Sequence, residues 1–192
     1  MRLGVLPVTP KQSDRVLNGL VRQTPRPKRL KFQRSRIKTV LIIFFDSQGI
    51  VHKEFVPDGK IVNAEFYKGV MDCLLKRIHG VRPAAFCSRY FFLLRDNALA
   101  HKAASVCQFL TQKNVKTPYH PLYSPDLSPP DYFLFPKLKL KLKGLHSADV
   151  AEIQEAVTDE LRKVQKEEFS AAFQKLYDRA KACIYASGAY FE

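Results

Sequence analysis

The chain lacks several features that would place it in common protein classes. Its four cysteines, Cys73, Cys87, Cys107 and Cys183, show neither a C-x-x-C spacing nor a zinc-ligand pattern, which favours buried free thiols in a reducing compartment. No apolar run approaches the length of a membrane span. The start, residues 1–8, is too short and too interrupted by proline for the hydrophobic region of a secretory signal. We therefore expect an intracellular protein.

Acidic residues are also scarce, and one segment has none. The 192 residues carry a formal net charge of +14, which favours a polyanionic partner, most simply nucleic acid. Residues 22–38 hold eight Lys or Arg and no acid, and Pro25 and Pro27 favour an extended backbone. We predict that residues 1–38 form a basic amino-terminal arm. The candidate nucleic-acid-binding residues are Arg22, Arg26, Lys28, Arg29, Lys31, Arg34, Arg36 and Lys38.

The basic arm leaves three interpretations open, and they are compatible with one another. It can be a solvated loop or disordered tail, an arm that grips phosphates, or a nuclear-import signal centred on residues 28–31. The last of these leads us to expect a nuclear location, with a cytoplasmic share.

The first regular elements predicted after the arm are a hairpin and a helix. Residues 39–45 form a continuous apolar, β-branched and aromatic run, typical of a strand buried on both faces. A turn at 46–49 and a second strand at 50–56 indicate a hairpin. Asn63 is placed to cap a helix that ends near Gly80.

The rest of the chain predicts a mixed α/β domain over residues 39–192, with helices on the sheet faces. Short strands are expected at 91–94 and 115–117. The helices that we expect are one over 98–113 capped by Asn97, one capped by Ser128 that starts at Pro129 and runs to Lys143, and two amphipathic helices at 150–164 and 169–183.

Two aspartates carry the chemistry of this sequence. Asp96 follows the strand at 91–94, and Asp131 lies at a helix start, with 34 residues between them. Two carboxylates brought together from a strand end and a helix start can hold Mg²⁺ for phosphoryl transfer. Alternatives exist for each acid in the region. Asp131 suits a first helical turn because of the macrodipole, and Asp46 and Asp126 suit turns.

The motifs around these aspartates resemble the catalytic domain of mariner-type transposases. The matching segments are 62–67, 94–101 and 123–132, together with the end of the chain at 187–191. The resemblance implies an incomplete RNase H-like fold and a metal-dependent DNA nuclease and strand transferase that uses Mg²⁺ or Mn²⁺. It gives Asp96 and Asp131 as metal ligands and catalytic residues. Asn97 and His101 match neighbouring positions that orient ligands or contact DNA.

The chain also departs from that family in ways that matter for activity. The strand that carries the family's first catalytic aspartate has no counterpart in residues 1–21, and the chain has no tryptophan. Asp46 cannot replace that aspartate, since it is expected at the opposite end of its strand, about 20 Å away at roughly 3.3 Å per residue. Arg95 stands where the family has His and adds a positive charge beside Asp96.

These departures predict a transposase-derived nucleic-acid-binding protein, truncated at its amino terminus and catalytically inactive. The alternative is a Mg²⁺-dependent DNA endonuclease and strand transferase that uses Asp96 and Asp131. A relic without a selected role is a third interpretation. Because removal of a central strand exposes apolar sheet edges, we also expect self-association or a homodimer.

Overall fold

The computed structural model describes residues 2–3, 39–84, 91–121, 124–143 and 149–185. The basic arm at 22–38, Cys87, Gly144 and the end of the chain at 187–191 lie outside these ranges. The strands are β1 (Arg2–Leu3), β2 (Thr39–Asp46) and β3 (Gly49–Val56). The helices are α1 (Ala64–Val81), α2 (Leu99–Lys102), α3 (Ala104–Gln112), α4 (Phe135–Lys141), α5 (Val150–Arg162) and α6 (Lys166–Tyr185).

The predicted hairpin is confirmed, and it forms the centre of the sheet. β2 and β3 pair antiparallel from Val40 opposite Val56 to Asp46 opposite Gly49, with a bulge in β3 at Val51, opposite Phe44 and Phe45. Gly49 has a φ of +131°, a conformation that favours glycine, so the tight turn can form. β1 pairs antiparallel with the start of β2 only, which gives the strand order β1-β2-β3.

Helices cover both faces of the hairpin, because alternate residues of β2 point to opposite sides. Ile42 and Phe44 face a core formed with α1 and α3, and Leu41 and Ile43 face one formed with α4, α5 and α6. The most deeply buried side chains of the two cores are Val70, Met71, Val106, Leu134, Leu138, Val157 and Phe169. The predicted three-layer arrangement is therefore present.

The segment at 91–94 differs from its prediction as a strand. Its one described ladder contact is an isolated parallel bridge between Phe92 and Lys116, in which Leu93 N–H donates to the Lys116 carbonyl at 2.9 Å. Phe92 is 63% exposed. A strand needs a partner along its length, and among the described residues this segment has one on a single side.

The predicted helix at 98–113 is divided into α2 and α3 by Ala103, whose ψ of 137° is extended. The Arg95 guanidinium donates to the carbonyl of His101, which a continuous helix would offer to residue 105. Asn97 does not cap the helix as predicted. Its side-chain amide donates to the His120 carbonyl at 2.9 Å, and the Asp96 carboxylate accepts from Ala98 N–H instead.

The helix predicted from Pro129 to Lys143 begins as a π-helical turn at Pro130–Leu134 and continues as α4. Pro136 lacks the N–H that would bond to the Tyr132 carbonyl, and the wider turn accommodates this gap. Ser128 contributes its backbone carbonyl, which accepts from Asp131 N–H at 2.8 Å, rather than the predicted side-chain cap.

Two further observations concern the cysteines and the lengths of the helices. Cys73 is exposed and Cys107 and Cys183 are half-buried, so the prediction of buried thiols was wrong for the three described cysteines, although all three are free. Within the described ranges, none of the helices combines the length and the apolar character that crossing a membrane requires.

Candidate carboxylate site

The two candidate aspartates line the same cavity. This cavity, of about 450 Å³, lies beside β2 and is bounded by residues 40–44, 94–101 and the first helical turn after Ser128. Asp96 follows the segment at 91–94, and Asp131 occupies the first turn of the helix that starts at Pro130. The fold therefore brings together two carboxylates that are 34 residues apart in the sequence.

Two groups that follow Asp96 closely in the sequence contact its carboxylate. His101 Nδ1 lies 2.6 Å from Asp96 Oδ1, a short contact that is poorly aligned for a hydrogen bond and becomes an ion pair when the imidazole is protonated. Ala98 N–H donates to the same oxygen at 3.1 Å. The His101 contact, assisted by Ala98 N–H and opposed by partial burial, lowers the pKa of Asp96 to about 2. Asp96 is therefore ionised at neutral pH and already has partners.

Tyr67 supports His101 from the opposite side. Its ring lies 4.1 Å from the imidazole, centroid to centroid, at 33°. The Tyr67 side chain is 2% exposed, and burial raises its pKa to about 12. α1 thus fixes the orientation of His101, and His101 in turn fixes Asp96. The sequence analysis did not identify this role of Tyr67; the one signal was its place in the matching segment 62–67.

Arg95 turns toward the chain that follows it. Besides the His101 carbonyl, its guanidinium contacts Cys107 Sγ at 3.7 Å. It also lines the cavity, so the charge that the sequence placed beside Asp96 is present there. Its hydrogen bond ties the loop that carries Asp96 to the break between α2 and α3.

The other acids considered from the sequence lie elsewhere. Asp46 forms an ion pair with Arg82, with Nε–Oδ2 at 2.8 Å, and lines a separate cavity of about 180 Å³. Asp126 accepts from the Arg179 guanidinium through its backbone carbonyl at 2.9 Å. Neither shares the cavity of Asp96 and Asp131.

The donor set does not fit the two Mg²⁺ ions that the family resemblance implies. Among the described residues, no three His, Cys, Asp or Glu side chains are grouped so that they could hold a metal ion. Asp96 Oδ1 is engaged by His101 and Ala98, which leaves Asp131 as the less constrained carboxylate. The acids outside the described ranges are Asp14 and Glu192. A two-metal site needs carboxylates shared between the ions, and the described lining of this cavity contains two, Asp96 and Asp131.

Comparison with known proteins agrees with the sequence motifs. Residues 11–86 match the family model described as Transposase (partial DDE domain). The chain is 27% identical over 156 residues to the mariner Mos1 transposase of Drosophila mauritiana and 25% identical over 155 residues to the human histone-lysine N-methyltransferase SETMAR. Each match covers 81% of this chain. It covers 45% of the Mos1 protein and 23% of SETMAR, so the chain spans less than half the length of either relative.

Solved structures give the same result at the level of the fold. The Mos1 transposase catalytic domain, solved with raltegravir and Mg, has a TM-score of 0.74 at 29% identity, over 81% of this chain and 78% of that one. The Mos1 paired-end complex with Mn has a TM-score of 0.83 at 26% identity, over 100% of this chain and 55% of that one. The predicted α/β fold is confirmed. The chain is a relative of the mariner-type transposases, and the part of it that the structure describes carries the RNase H-like fold of their catalytic domain in an incomplete form.

Proposed function

We propose that this transposase-derived domain binds nucleic acid and does not cleave it. The observation that carries the proposal is the state of Asp96, whose carboxylate oxygen is held by His101 and Ala98 N–H, with Asp131 as the one other carboxylate among the described residues of the cavity lining. This arrangement provides an oriented negative charge but no set of ligands shared between two metal ions.

The nucleic-acid part of the proposal rests on charge. The chain has a net charge of +14, and eight of its lysine and arginine residues lie in the segment at 22–38, which contains no acidic residue. Related Mos1 structures include a complex with the left transposon end, which supports DNA as the polyanion. The same basic segment supports a nuclear location for this protein.

The alternative function is a Mg²⁺- or Mn²⁺-dependent endonuclease and strand transferase. One observation favours it, namely that Asp96 and Asp131 line one cavity. Mos1 catalytic-domain structures have been solved with Mg and with Mn, which supports divalent metal use by that relative. Asn97 and His101 would then act on the ligands indirectly, and the contact of His101 with Asp96 is consistent with such a role.

Salt-dependent binding to a duplex of random sequence tests the proposed function. If about five lysine or arginine residues of the arm contact phosphates, the arm should contribute about 4 to 5 to the magnitude of the slope of log Kd against log salt. Replacing Arg26, Lys28, Arg29 and Lys31 by Gln should make the slope shallower by about 3 to 4.

The matched control replaces four exposed bases of the described domain by Gln, namely Lys68, Lys139, Lys175 and Lys181. It removes the same charge and should change the slope much less. Equal effects of the two variants would show that the arm is not the specific contact. Absence of measurable duplex binding by the unmodified protein would refute the proposed function itself.

A further inference from the structure

A second basic surface lies at the opposite edge of the sheet from β1. β3 ends the strand order, so its outer edge pairs with no strand that the structure describes. α1 lies against one face of the hairpin, and α5 and α6 lie against the other. Between them, a cleft of about 920 Å³ runs along residues 48–53 of β3 and its turn. We call it the β3-edge cleft. It shares no lining residue with the cavity of Asp96 and Asp131.

Five basic side chains line the β3-edge cleft, and none of its described lining residues is a carboxylate. The basic residues are Lys53, Lys76, Arg77, Arg162 and Lys166. They come from β3, α1, α5 and the start of α6, so the fold alone brings them together. Arg77 and Lys166 are exposed and form no ion pair with any residue of the described ranges. Lys76 and Arg162 have partners outside the lining, Asp72 at 2.7 Å and Asp159 at 3.3 Å, but their own side chains are 76% and 77% exposed.

Lys53 shows that positive charge is crowded at this place. It is half-buried, and its ammonium group donates to Thr158 Oγ1 on α5. Burial, and then the nearby charge of Arg162, lower the pKa of Lys53, whereas Asp159, which lines a neighbouring cavity with Lys53 and Arg162, raises it. A bound anion would relieve this repulsion, and the cleft is open enough to admit one.

We propose that the β3-edge cleft binds the phosphodiester backbone of nucleic acid. This inference rests on the proposed function and adds to it a contact that is independent of the basic arm. The five basic residues come from β3 and from the helical layers on both of its faces, which suits a chain of phosphates better than a single small anion. Backbone contacts of this kind position nucleic acid and carry no sequence information.

A polypeptide strand added to the edge of β3 is the competing occupant. The edge is poorly suited to it, because β3 is bulged near the turn and presents Lys53, and both features discourage strand addition. The lack of any lining carboxylate gives phosphate the advantage.

The test compares two double variants with the same loss of charge. Arg77→Gln with Lys166→Gln removes the two bases of the cleft that have no described ion pair. Lys68→Gln with Lys181→Gln removes two exposed bases from the same two helices, α1 and α6, at positions that do not line the cleft. Binding of each protein to a duplex of random sequence is measured over a range of salt concentrations, with circular dichroism to establish folding.

We expect the cleft variant to have a salt slope smaller by about 2 and an affinity lower by about tenfold or more at low salt, since each phosphate contact contributes about 0.9 to the slope. The control variant should change the slope by less than half as much. Equal slopes in the two variants, with duplex binding retained, would overturn the cleft inference and leave the proposed function intact. If the unmodified protein does not bind the duplex, the proposed function itself is wrong.

Protection from acetylation keeps the inference testable if the cleft variant folds poorly. In the unmodified protein, bound duplex should protect Lys76 and Lys166 from acetylation, read by mass spectrometry, and should not protect Lys181. A poly-glutamate peptide serves as the polypeptide probe. If that peptide binds through Arg77 and Lys166 while duplex binding is independent of them, the cleft is a polypeptide site and the inference is wrong.

Discussion

His101 Nδ1 lies 2.6 Å from Asp96 Oδ1, and the same imidazole rests on the buried ring of Tyr67. The candidate catalytic carboxylate is therefore oriented by a residue five positions later in the chain and, through it, by α1. A carboxylate with these contacts is ionised, and one of its oxygens already has partners. Its orientation therefore does not depend on a bound metal ion.

The first prediction concerns the pKa of Asp96. His101→Phe keeps a ring on Tyr67 and removes the nitrogen that faces the carboxylate, so we expect the pKa of Asp96 to rise from about 2 toward its ordinary value of 3.8. A carboxyl-carbon NMR titration measures it. His120→Phe, which removes another imidazole of the same cavity, is the control and should leave Asp96 unchanged. A pKa near 3.8 in the unmodified protein would contradict the contact.

The lowered pKa of Asp96 also makes the free energy of unfolding depend on pH. Because the folded pKa of Asp96 lies below the unfolded one, its stabilising effect is fully present above about pH 4 and is lost as the pH falls through about 2. The side chain is 60% exposed, so solvent screening limits the effect to about 1 kcal/mol or less. Urea unfolding of Asp96→Asn and the unmodified protein at pH 7 and at pH 3 should show the difference shrinking at the lower pH.

The second prediction concerns metal-dependent chemistry. Since the described residues hold no group of three metal ligands, we expect no cleavage of duplex DNA by the purified protein in Mg²⁺ or Mn²⁺. Nicking of a supercoiled plasmid is a sensitive measurement. Nicking that requires a metal and disappears in both Asp96→Ala and Asp131→Ala would establish the endonuclease alternative. Nicking that persists in both variants would come from a contaminant.

Local signals in the sequence account for the parts of the fold that were predicted correctly. The hairpin follows from the apolar run of β2, the turn at Asp46–Gly49 and the apolar residues at both ends of β3, all within 18 residues. The start of α1 follows from Asn63, whose side chain accepts from Phe66 N–H at 2.8 Å as expected of a cap. In each case the residues that decide the structure are neighbours in the chain.

The parts that were not predicted depend on contacts between distant or competing groups. The helix is broken at Ala103 because the Arg95 guanidinium donates to the His101 carbonyl, which a continuous helix would use for its own hydrogen bond. The segment at 91–94 has strand-like residues but too few partners to form a ladder. The β3-edge cleft gathers bases from four elements, and no spacing in the sequence links Lys53 to Arg77 or Lys166.

The third prediction uses two leucines of α4 to test the core. Leu138 is 1% exposed and packs with α5 and α6, whereas Leu140 is 71% exposed. Leu138→Ala should lower the free energy of unfolding by about 2 to 5 kcal/mol, and Leu140→Ala by less than about 0.5 kcal/mol. Urea denaturation measures both, and the identical substitution in one helix cancels helix propensity. If Leu138→Ala does not fold, Leu138→Met should fold at a cost below about 1.5 kcal/mol. Similar losses for the two alanine variants would mean that α4 is packed differently.

The last prediction concerns the second edge of β2. β1 pairs with it only at Arg2 opposite Val40 and Leu3 opposite Thr39. From Leu41 to Asp46, that edge has no partner strand among the described residues, and its residues are apolar up to Phe45. An unpaired apolar edge is a template for pairing with another chain. We therefore expect self-association that increases with protein concentration in sedimentation velocity.

Hydrogen exchange of the β2 amides shows whether the free edge is where the chains associate. The amides that point toward β3 serve as the internal control. Alternate amides of β2 point toward β3 or toward the free edge. Amides that point toward β3 should be protected at every concentration, while those on the free edge should gain protection only as the protein associates. If the protein is instead a monodisperse monomer that unfolds cooperatively above about 60 °C, high for an ordinary domain, the edge must be satisfied within a single chain.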